Sequence, residues 1–302
     1  MIGYIHPGYA ESLAEFGDPR KLTRCGGWIL ERQIPGFSCH DAMGCYPLFV
    51  CEDWTQLDSD LRALEGELVS LSLVTDPFGE YNGNYLKRCF EDVVIPLKEH
   101  FIVDLNQQIR KYVTEHHRRY ARKALQCIHV EKPERPIDFI DEWVKLYEDL
   151  ILKYDIKGIP AFSRRAFTQQ LKIPGLVMFR AIHEESTVGI LLWYVQGEVG
   201  YYHLGASSSL GYELHASFAL FWRAMEYFQE SRTRWLDLGG GAGVKNKFTD
   251  GLREFKRGWS TDAKTVYLCG RIFDHERYGE IVKAKGIAAT DYFPAYRKDE
   301  FR

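Results

Sequence analysis

The sequence predicts a mixed α/β protein of the α+β class, and three observations lead to this prediction. Residues 176–207 contain three short runs of β-branched and aromatic residues separated by brief polar turns, a pattern typical of an antiparallel meander. Helical patterns precede and follow this meander, so helices and strands do not alternate as in a doubly wound fold. With 302 residues, the chain exceeds what one hydrophobic core usually supports, which favours two lobes or one large α/β domain.

Strands in the first part of the chain are predicted where aromatic and β-branched residues cluster. Such runs occupy residues 28–34, 45–54, 68–76 and 94–105. The intervening residues 35–44 contain Pro, Gly, Ser and Asp, so they are expected to form a turn.

Residues 110–123 form the most basic stretch of the chain, with six Arg or Lys residues against the single acid Glu115. Thr114 is placed to cap a helix within this stretch. The charges fit a solvated helix face, and a surface that binds phosphates is the alternative. His116 and His117 lack a second metal ligand one helical turn away, so we interpret them as surface histidines and expect no metal site.

The second part of the chain is expected to be richer in helices. Amphipathic or capped patterns predict helices in residues 137–154, 163–171 and 212–229, and residues 234–238 form a short apolar strand before a glycine-rich turn.

That turn admits two interpretations. Asp237, Gly239, Gly241 and Gly243 have the spacing of a turn that admits S-adenosylmethionine in methyltransferases. A strand-to-helix turn that needs positive φ would have the same composition. A methyltransferase places this turn after the first strand of a doubly wound sheet, whereas here it comes late and after a meander, which argues against a methyltransferase.

Composition limits the classes of partner and compartment. A net charge of −3 and a pI near 6.4 do not suit a protein whose main partner is duplex DNA. The seven cysteines form no CxxC pair, which predicts reduced thiols in a cytoplasmic protein. The longest apolar runs are too short for a membrane span.

Several segments resemble one known family. The segments YYHLGASSS, GYELHASFALFWRAMEYFQE, RWLDLGGG and GLREFKRGW occur in this order and resemble the second lobe of FemAB-type proteins and the related GNAT acetyltransferase domain. LVSLSLVTDP and HHRRYARKALQ are similar to first-lobe segments. The resemblance implies two tandem GNAT-like lobes, each a mixed, largely antiparallel sheet flanked by helices. They are expected at 1–125 and 126–302, with the last ~30 residues packing back on the first lobe.

The resemblance also implies an activity, the transfer of an acyl or aminoacyl group from acyl-CoA or aminoacyl-tRNA to the primary amine of a small molecule. In GNAT folds the fourth strand, here residues 200–205, splays from the fifth, and the turn after it binds the phosphates of the donor. The donor residues are then Ala206, Ser207, Ser208, Ser209, Gly211 and Tyr212. They depart from the Gln/Arg-x-x-Gly-x-Gly/Ala signature of CoA-binding members, so a non-catalytic binding module with the same fold is an alternative.

The remaining site residues follow from the same resemblance. The glycine-rich stretch becomes the acceptor edge, with candidate residues Gly239, Gly240, Gly241, Lys247, Lys256 and Arg257. A proton acceptor for the amine is sought among Asp237, Glu213 and His203, although Asp237 could equally cap the glycine turn. A tRNA donor would be held through Arg118, Arg119 and Arg122.

Overall fold

In the computed structural model, which describes residues 1–241, 251–298 and 300, eleven strands form one continuous sheet. The strands are β1 Asp18–Lys21, β2 Trp28–Gln33, β3 His40–Gly44, β4 Ser70–Val74, β5 Val93–Asp104, β6 His129–Glu131, β7 Leu176–His183, β8 Ser186–Gln196, β9 Val199–Ser207, β10 Trp235–Asp237 and β11 Asp262–Ile272.

Helices cover both faces of this sheet. They are α1 Pro7–Ser12, α2 Leu57–Ala63, α3 Gly83–Cys89, α4 Ile109–Tyr112, α5 Glu115–Ala124, α6 Ile140–Tyr154, α7 Arg164–Gln170, α8 Ser209–Glu213, α9 Ala216–Glu230, α10 Gly251–Arg257 and α11 His275–Ala284. In the described part of the chain, no helix combines the length and the apolar character that a membrane crossing requires.

The strand order is β1-β2-β3-β4-β11-β5-β10-β9-β8-β7-β6. The meander β7-β8-β9 is antiparallel as predicted, and the named strands pair in parallel only at β3–β4 and β9–β10 within the described residues. The mixed α/β prediction is therefore confirmed. These strands do not form the doubly wound parallel sheet that the methyltransferase interpretation requires.

The order also shows how the two halves of the chain join. β5 pairs with β10 in the middle of the sheet, so strands from the first and second halves share one set of hydrogen bonds. β11 comes from late in the sequence and lies between β4 and β5. The sheet is consequently continuous across both lobes.

Two helical layers flank the second half of the sheet. The α6 face is covered by α1, α6 and α7, with a core that includes Tyr9, Trp143 and Tyr194. The α9 face is covered by α5, α9 and α10 around Trp193 and Trp259. Because side chains alternate along a strand, each residue of β9 or β10 belongs to one of these two faces.

The prediction of a strand at residues 45–54 is wrong. The chain forms a loop there, with one isolated bridge between Phe49 and Thr75, and the strand β3 occupies residues expected to form a turn. The apolar side chains of the loop are buried in the core without strand pairing. Asp41 sits inside β3 because Arg297 binds its carboxylate, a contact between distant segments that local composition does not reveal.

The basic helix is confirmed as α5, and Thr114 Oγ1 caps it by accepting a bond from the His117 N–H. The interpretation of His117 as a surface residue is wrong, since its side chain is buried. Its Nδ1 lies 2.7 Å from Thr114 Oγ1, and its Nε2 lies 2.9 Å from the Phe255 carbonyl oxygen. His117 thus fastens α5 to α10.

Candidate functional site

The central feature of the site is a fork between β9 and β10. The two strands pair in parallel over three positions only, namely Val199–Trp235, Gly200–Leu236 and Tyr201–Asp237. Beyond these pairs β10 ends, while β9 continues to Ser207. The strands therefore separate at Tyr201 and Asp237, and the space between them opens toward the end of β9.

The turn that follows β9 has a partly satisfied backbone. Ser208 caps α8 by accepting a bond from the Gly211 N–H at 3.1 Å, and its own N–H donates to the Val188 carbonyl. The N–H groups of Ser209 and Leu210 have no partner in the described part of the chain. Two adjacent donors thus remain available for an anion.

The other residues predicted to bind the donor at this turn contact neighbouring parts of the protein. Ala206 is buried, and Ser207 pairs with Gly189 in the sheet. A side chain at Gly211 would place its Cβ 2.0 Å from the Val188 carbonyl oxygen, so only glycine lets the turn lie on β8. Lys153, which sequence reasoning did not single out, holds its ammonium 3.6 Å from the centre of the exposed Tyr212 ring.

At the fork, Asp237 is buried and makes two contacts. One carboxylate oxygen accepts the Gly239 N–H at 2.7 Å, which fixes the glycine turn. Both oxygens lie close to Nδ1 of His100, at 3.0 and 2.8 Å, so the His100 Nδ1–H donates to the carboxylate. The carboxylate therefore caps the turn and orients an imidazole.

His100 has one free ring nitrogen. Its Nε2 has no hydrogen-bond partner among the described residues, and the His100 side chain is buried, with 10% of its surface exposed. With Nδ1–H held by Asp237, the neutral tautomer has an unprotonated Nε2. This arrangement can accept a proton from a bound substrate.

A second carboxyl group lies close to the fork. Asp76 is buried, its Oδ2 accepts the Tyr201 hydroxyl at 3.0 Å, and its Oδ1 accepts the Phe78 N–H at 2.9 Å. Burial raises the pKa of Asp76 to about 7, and the charge of Asp237 adds to the increase, although these two hydrogen bonds and Lys264 act in the opposite direction. Asp76 therefore titrates near neutral pH.

Replacing Asp76 with Asn is expected to change how stability depends on pH. A carboxyl whose pKa is higher in the folded protein stabilises the fold while it holds its proton, and this contribution is lost as the pH rises from about 4 through 7. The wild type should lose up to about 4 kcal/mol of unfolding free energy over this range through Asp76. Urea denaturation at pH 5 and pH 8 captures about 3 kcal/mol of this change, and Asp76→Asn should reduce it. An identical pH dependence in both proteins would contradict the expectation.

The other two candidate bases lie elsewhere. His203 is fully enclosed by aromatic rings, with Nδ1 3.1 Å from the Tyr4 hydroxyl and Nε2 3.3 Å from the Gln170 amide oxygen. Burial lowers the pKa of His203 to about 3, so it is neutral with both nitrogens occupied. Glu213 is exposed at the end of α8, and no hydrogen bond or ion pair holds its side chain within the described residues.

The glycine turn and α10 pack against each other. Gly239 has a φ of 72°, and a side chain on Gly240 would meet β5. The Lys256 ammonium is buried beneath the turn, where it donates to the Gly240 carbonyl at 2.7 Å. Gly241 is half-buried and Arg257 is exposed and paired with Glu254 at 3.2 Å, whereas Lys247 lies outside the described residues.

Replacing Gly240 with Val is expected to destabilise the protein. A Cβ at this position would lie 2.5 Å from Lys98 Cδ and 3.0 Å from the Glu99 carbonyl oxygen, and the backbone oxygen cannot rotate away. We expect a loss of about 1–3 kcal/mol, measured by thermal or urea denaturation. Gly279→Val is the control, because nothing lies within 4 Å of its added Cβ. A Gly240→Val protein as stable as the control would contradict this packing.

The arginines of α5 point in different directions. Arg118 and Arg122 line a groove of about 460 Å³ with Arg110 and Trp222. Arg119 instead lies over the Tyr120 ring, 5.3 Å from its centre. None of the four arginines has a carboxylate partner in the described part of the chain. The structure thus brings two of the three predicted arginines together.

Another groove, of about 510 Å³, lies between α5, α9 and α10 on the α9 face. His116, Phe218 and Phe255 supply much of its lining. Among the described residues that line it, none belongs to β9 or β10, and its aromatic side chains make it partly apolar.

His100 and Asp76 are the residues that sequence reasoning missed. LVSLSLVTDP had been compared with a strand ending in Asp-Pro, but Asp76 received no chemical role. His100 gives little local signal, because it is the last of three polar residues, Lys98–His100, before the apolar run Phe101–Val103. The contact between His100 and Asp237 depends on the pairing of β5 with β10. The two residues are 137 positions apart, so local sequence patterns do not reveal this pairing.

Comparison with protein families identifies a known domain in the chain. The model of the acetyltransferase (GNAT) domain matches residues 106–257, about half of the chain. This match includes α5, the meander, the donor turn and α10. No curated protein sequence matches the chain.

Several solved structures share the fold. The crystal structure of FemX superposes with a TM-score of 0.66 at 13% identity, covering 91% of this chain and 93% of that one. The C-terminal domain (DUF2156) of a putative lysylphosphatidylglycerol synthetase from Agrobacterium fabrum gives 0.64 at 13% identity, covering 94% and 92%. L-PGS from Bacillus licheniformis gives 0.58 at 14% identity, covering 91% and 94%. The chain belongs to the GNAT acetyltransferase family and has the tandem-lobed fold of FemAB-type proteins.

Proposed function

We propose that this acyltransferase transfers an acyl or aminoacyl group to the nitrogen of a primary amine, with His100 as the proton acceptor. The observation that carries the proposal is the His100–Asp237 pair at the mouth of the fork. Asp237 holds His100 Nδ1 at 2.8 Å, and His100 Nε2 has no hydrogen-bond partner among the described residues. A base needs this combination of a fixed ring and an unoccupied nitrogen.

The proposed reaction has two steps. The amine nitrogen attacks the carbonyl carbon of the donor while His100 Nε2 takes a proton from the amine, which leaves a tetrahedral oxyanion. The bond between the carbonyl carbon and the carrier then breaks, and the protonated imidazole returns its proton to the departing carrier oxygen or sulfur. The products are an amide and the free carrier. Asp237 stabilises the imidazolium formed between the two steps.

The donor is proposed to lie in the fork, with its phosphates at the turn after β9. The free N–H groups of Ser209 and Leu210 and the nearby Lys153 ammonium support this placement. Acyl-CoA and aminoacyl-tRNA share the relevant chemistry, because each carries its acyl group on a phosphorylated carrier that contains adenosine. The arginine groove beside α5 suits the longer phosphate chain of a tRNA.

The proposal is tested by measuring product formation with two donor sets. A panel of acyl-CoAs and a panel of charged tRNAs are each incubated with the full chain and a mixture of primary amines, and amides are detected by mass spectrometry. Transfer from one donor set supports the proposal and identifies the carrier. Donor binding without transfer from either set would favour the non-catalytic binding module instead. Binding of neither donor would overturn the proposal.

A further inference from the structure

A strip of alternating charge and aromatic rings lies beside the fork. The Lys264 ammonium is 4.2 Å from the centre of the Phe78 ring, and the Phe78 ring is 6.0 Å from that of Trp235. The Arg234 guanidinium lies 5.0 Å from the centre of the Trp235 ring. We call these four residues the cation–aromatic strip.

The strip adjoins the groups assigned to chemistry. Lys264 on β11 is the cross-strand partner of His100 on β5, so their side chains are neighbours on the same face of the sheet. Trp235 precedes Asp237 by two residues on β10 and belongs to the same face. An amine at His100 therefore lies close to the Lys264 side chain.

Both cations of the strip lack a carboxylate partner. In the described part of the chain, no acidic side chain lies within ion-pair distance of Lys264 or Arg234, although both are exposed. Lys264 donates to the Pro77 carbonyl oxygen at 3.2 Å, and an ammonium has two further N–H donors. By contrast, Arg253 and Arg271 nearby in sequence are paired with Glu99 and Glu65.

From this arrangement we infer that the acceptor is a primary amine that also carries an anionic group, and that Lys264 holds this group. The inference rests on the proposed function, because it assigns the substrate class of the same site. A carboxylate or a phosphate would meet the Lys264 ammonium, and the apolar part of the molecule would lie on Phe78 and Trp235. The buried carboxyl groups of Asp237 and Asp76 accept hydrogen bonds from other partners, and Lys264 acts on Asp76 only through its charge, without an ion pair.

Matched acceptors test the inference. Lysine and cadaverine differ only in the carboxylate, and phosphoethanolamine and ethanolamine differ only in the phosphate. We expect kcat/KM to be roughly 10- to 100-fold higher for the anionic member of at least one pair, the effect of one or two charged hydrogen bonds. The pair that shows the preference identifies the anion. Equal use of both members of each pair would overturn the inference.

Variants of Lys264 distinguish binding of the anionic group from a purely structural role of this residue. Lys264→Met should raise KM for the anionic acceptor about tenfold or more with little change in kcat, and should leave cadaverine or ethanolamine unaffected. Lys264→Arg should retain the preference, and Lys172→Met, an exposed lysine, is the matched control. A Lys264→Met variant that lowers kcat equally for both members would assign the residue to structure and overturn the inference.

Failure of the proposed function is distinguishable from failure of this inference. If no donor yields an amide, the proposed function fails, and equilibrium binding of lysine and cadaverine to the full chain still decides the inference. Tighter binding of lysine that is lost in Lys264→Met supports the anionic site. Equal binding of both amines overturns it.

Discussion

Replacing His100 with Gln should reduce kcat/KM for amine acylation by roughly 10²- to 10⁴-fold, the contribution typical of one positioned base. Gln keeps a donor that can reach Asp237, but its amide does not accept a proton at neutral pH. The loss should appear in kcat, because the donor turn and the cation–aromatic strip remain intact. Steady-state kinetics with the donor identified above measures it, and calorimetry checks that donor binding is retained.

The control for this variant is His129→Gln, because His129 is exposed on the edge strand β6. It should have wild-type kinetics. Asp237→Asn should also lower kcat, because the amide cannot stabilise the imidazolium as a carboxylate does. If His100→Gln keeps more than about a tenth of the wild-type kcat/KM, a loss far smaller than one base contributes, His100 is not the proton acceptor.

Replacing Asp41 with Ala should destabilise the protein by about 3–5 kcal/mol. Asp41 is fully buried in β3, and its two oxygens accept bonds from Nε and Nη2 of Arg297, both at 2.9 Å. Arg32 also lies 3.3 Å from this carboxylate. The variant leaves two buried guanidinium groups with only the more exposed Glu300 as a shared carboxylate, which is why the expected cost is large.

Urea denaturation measures this loss, and Glu67→Ala supplies the comparison. Glu67 pairs with Arg20 at 2.6 Å, but its side chain is 53% exposed, so its removal should cost no more than about 1 kcal/mol. Similar losses for the two variants would show that burial does not set the strength of the Asp41 contacts.

Local patterns predicted the parts of the fold that local interactions determine. The meander and α5 with its Thr114 cap were identified because periodicity and capping involve residues close in sequence. The end of β9 was predicted from the change from strand residues to small polar residues. The strand β3 was missed because Asp41 is a poor strand residue by itself, and only Arg297, far along the chain, makes its burial acceptable.

The candidate site was predicted only in part for the same reason. Asp237 was identified from its place after a short strand, and its capping of Gly239 was among the alternatives considered. Its contact with His100 requires knowledge of which strand lies beside β10. An imidazole such as that of His203 can act as a base when it is exposed. Burial among aromatic rings lowers the pKa of His203 and removes this capacity. The rings come from several elements, so the sequence of β9 alone does not reveal this burial.

The position of β11 has a consequence for how the chain acquires its structure during synthesis. β4 and β5 leave the ribosome long before residues 262–272, which later fill the gap between them. Until then each strand has an exposed edge capable of pairing with another chain. Closure of the sheet is therefore a late, long-range event, and a nascent chain that stalls before residue 262 should depend on chaperones to avoid aggregation.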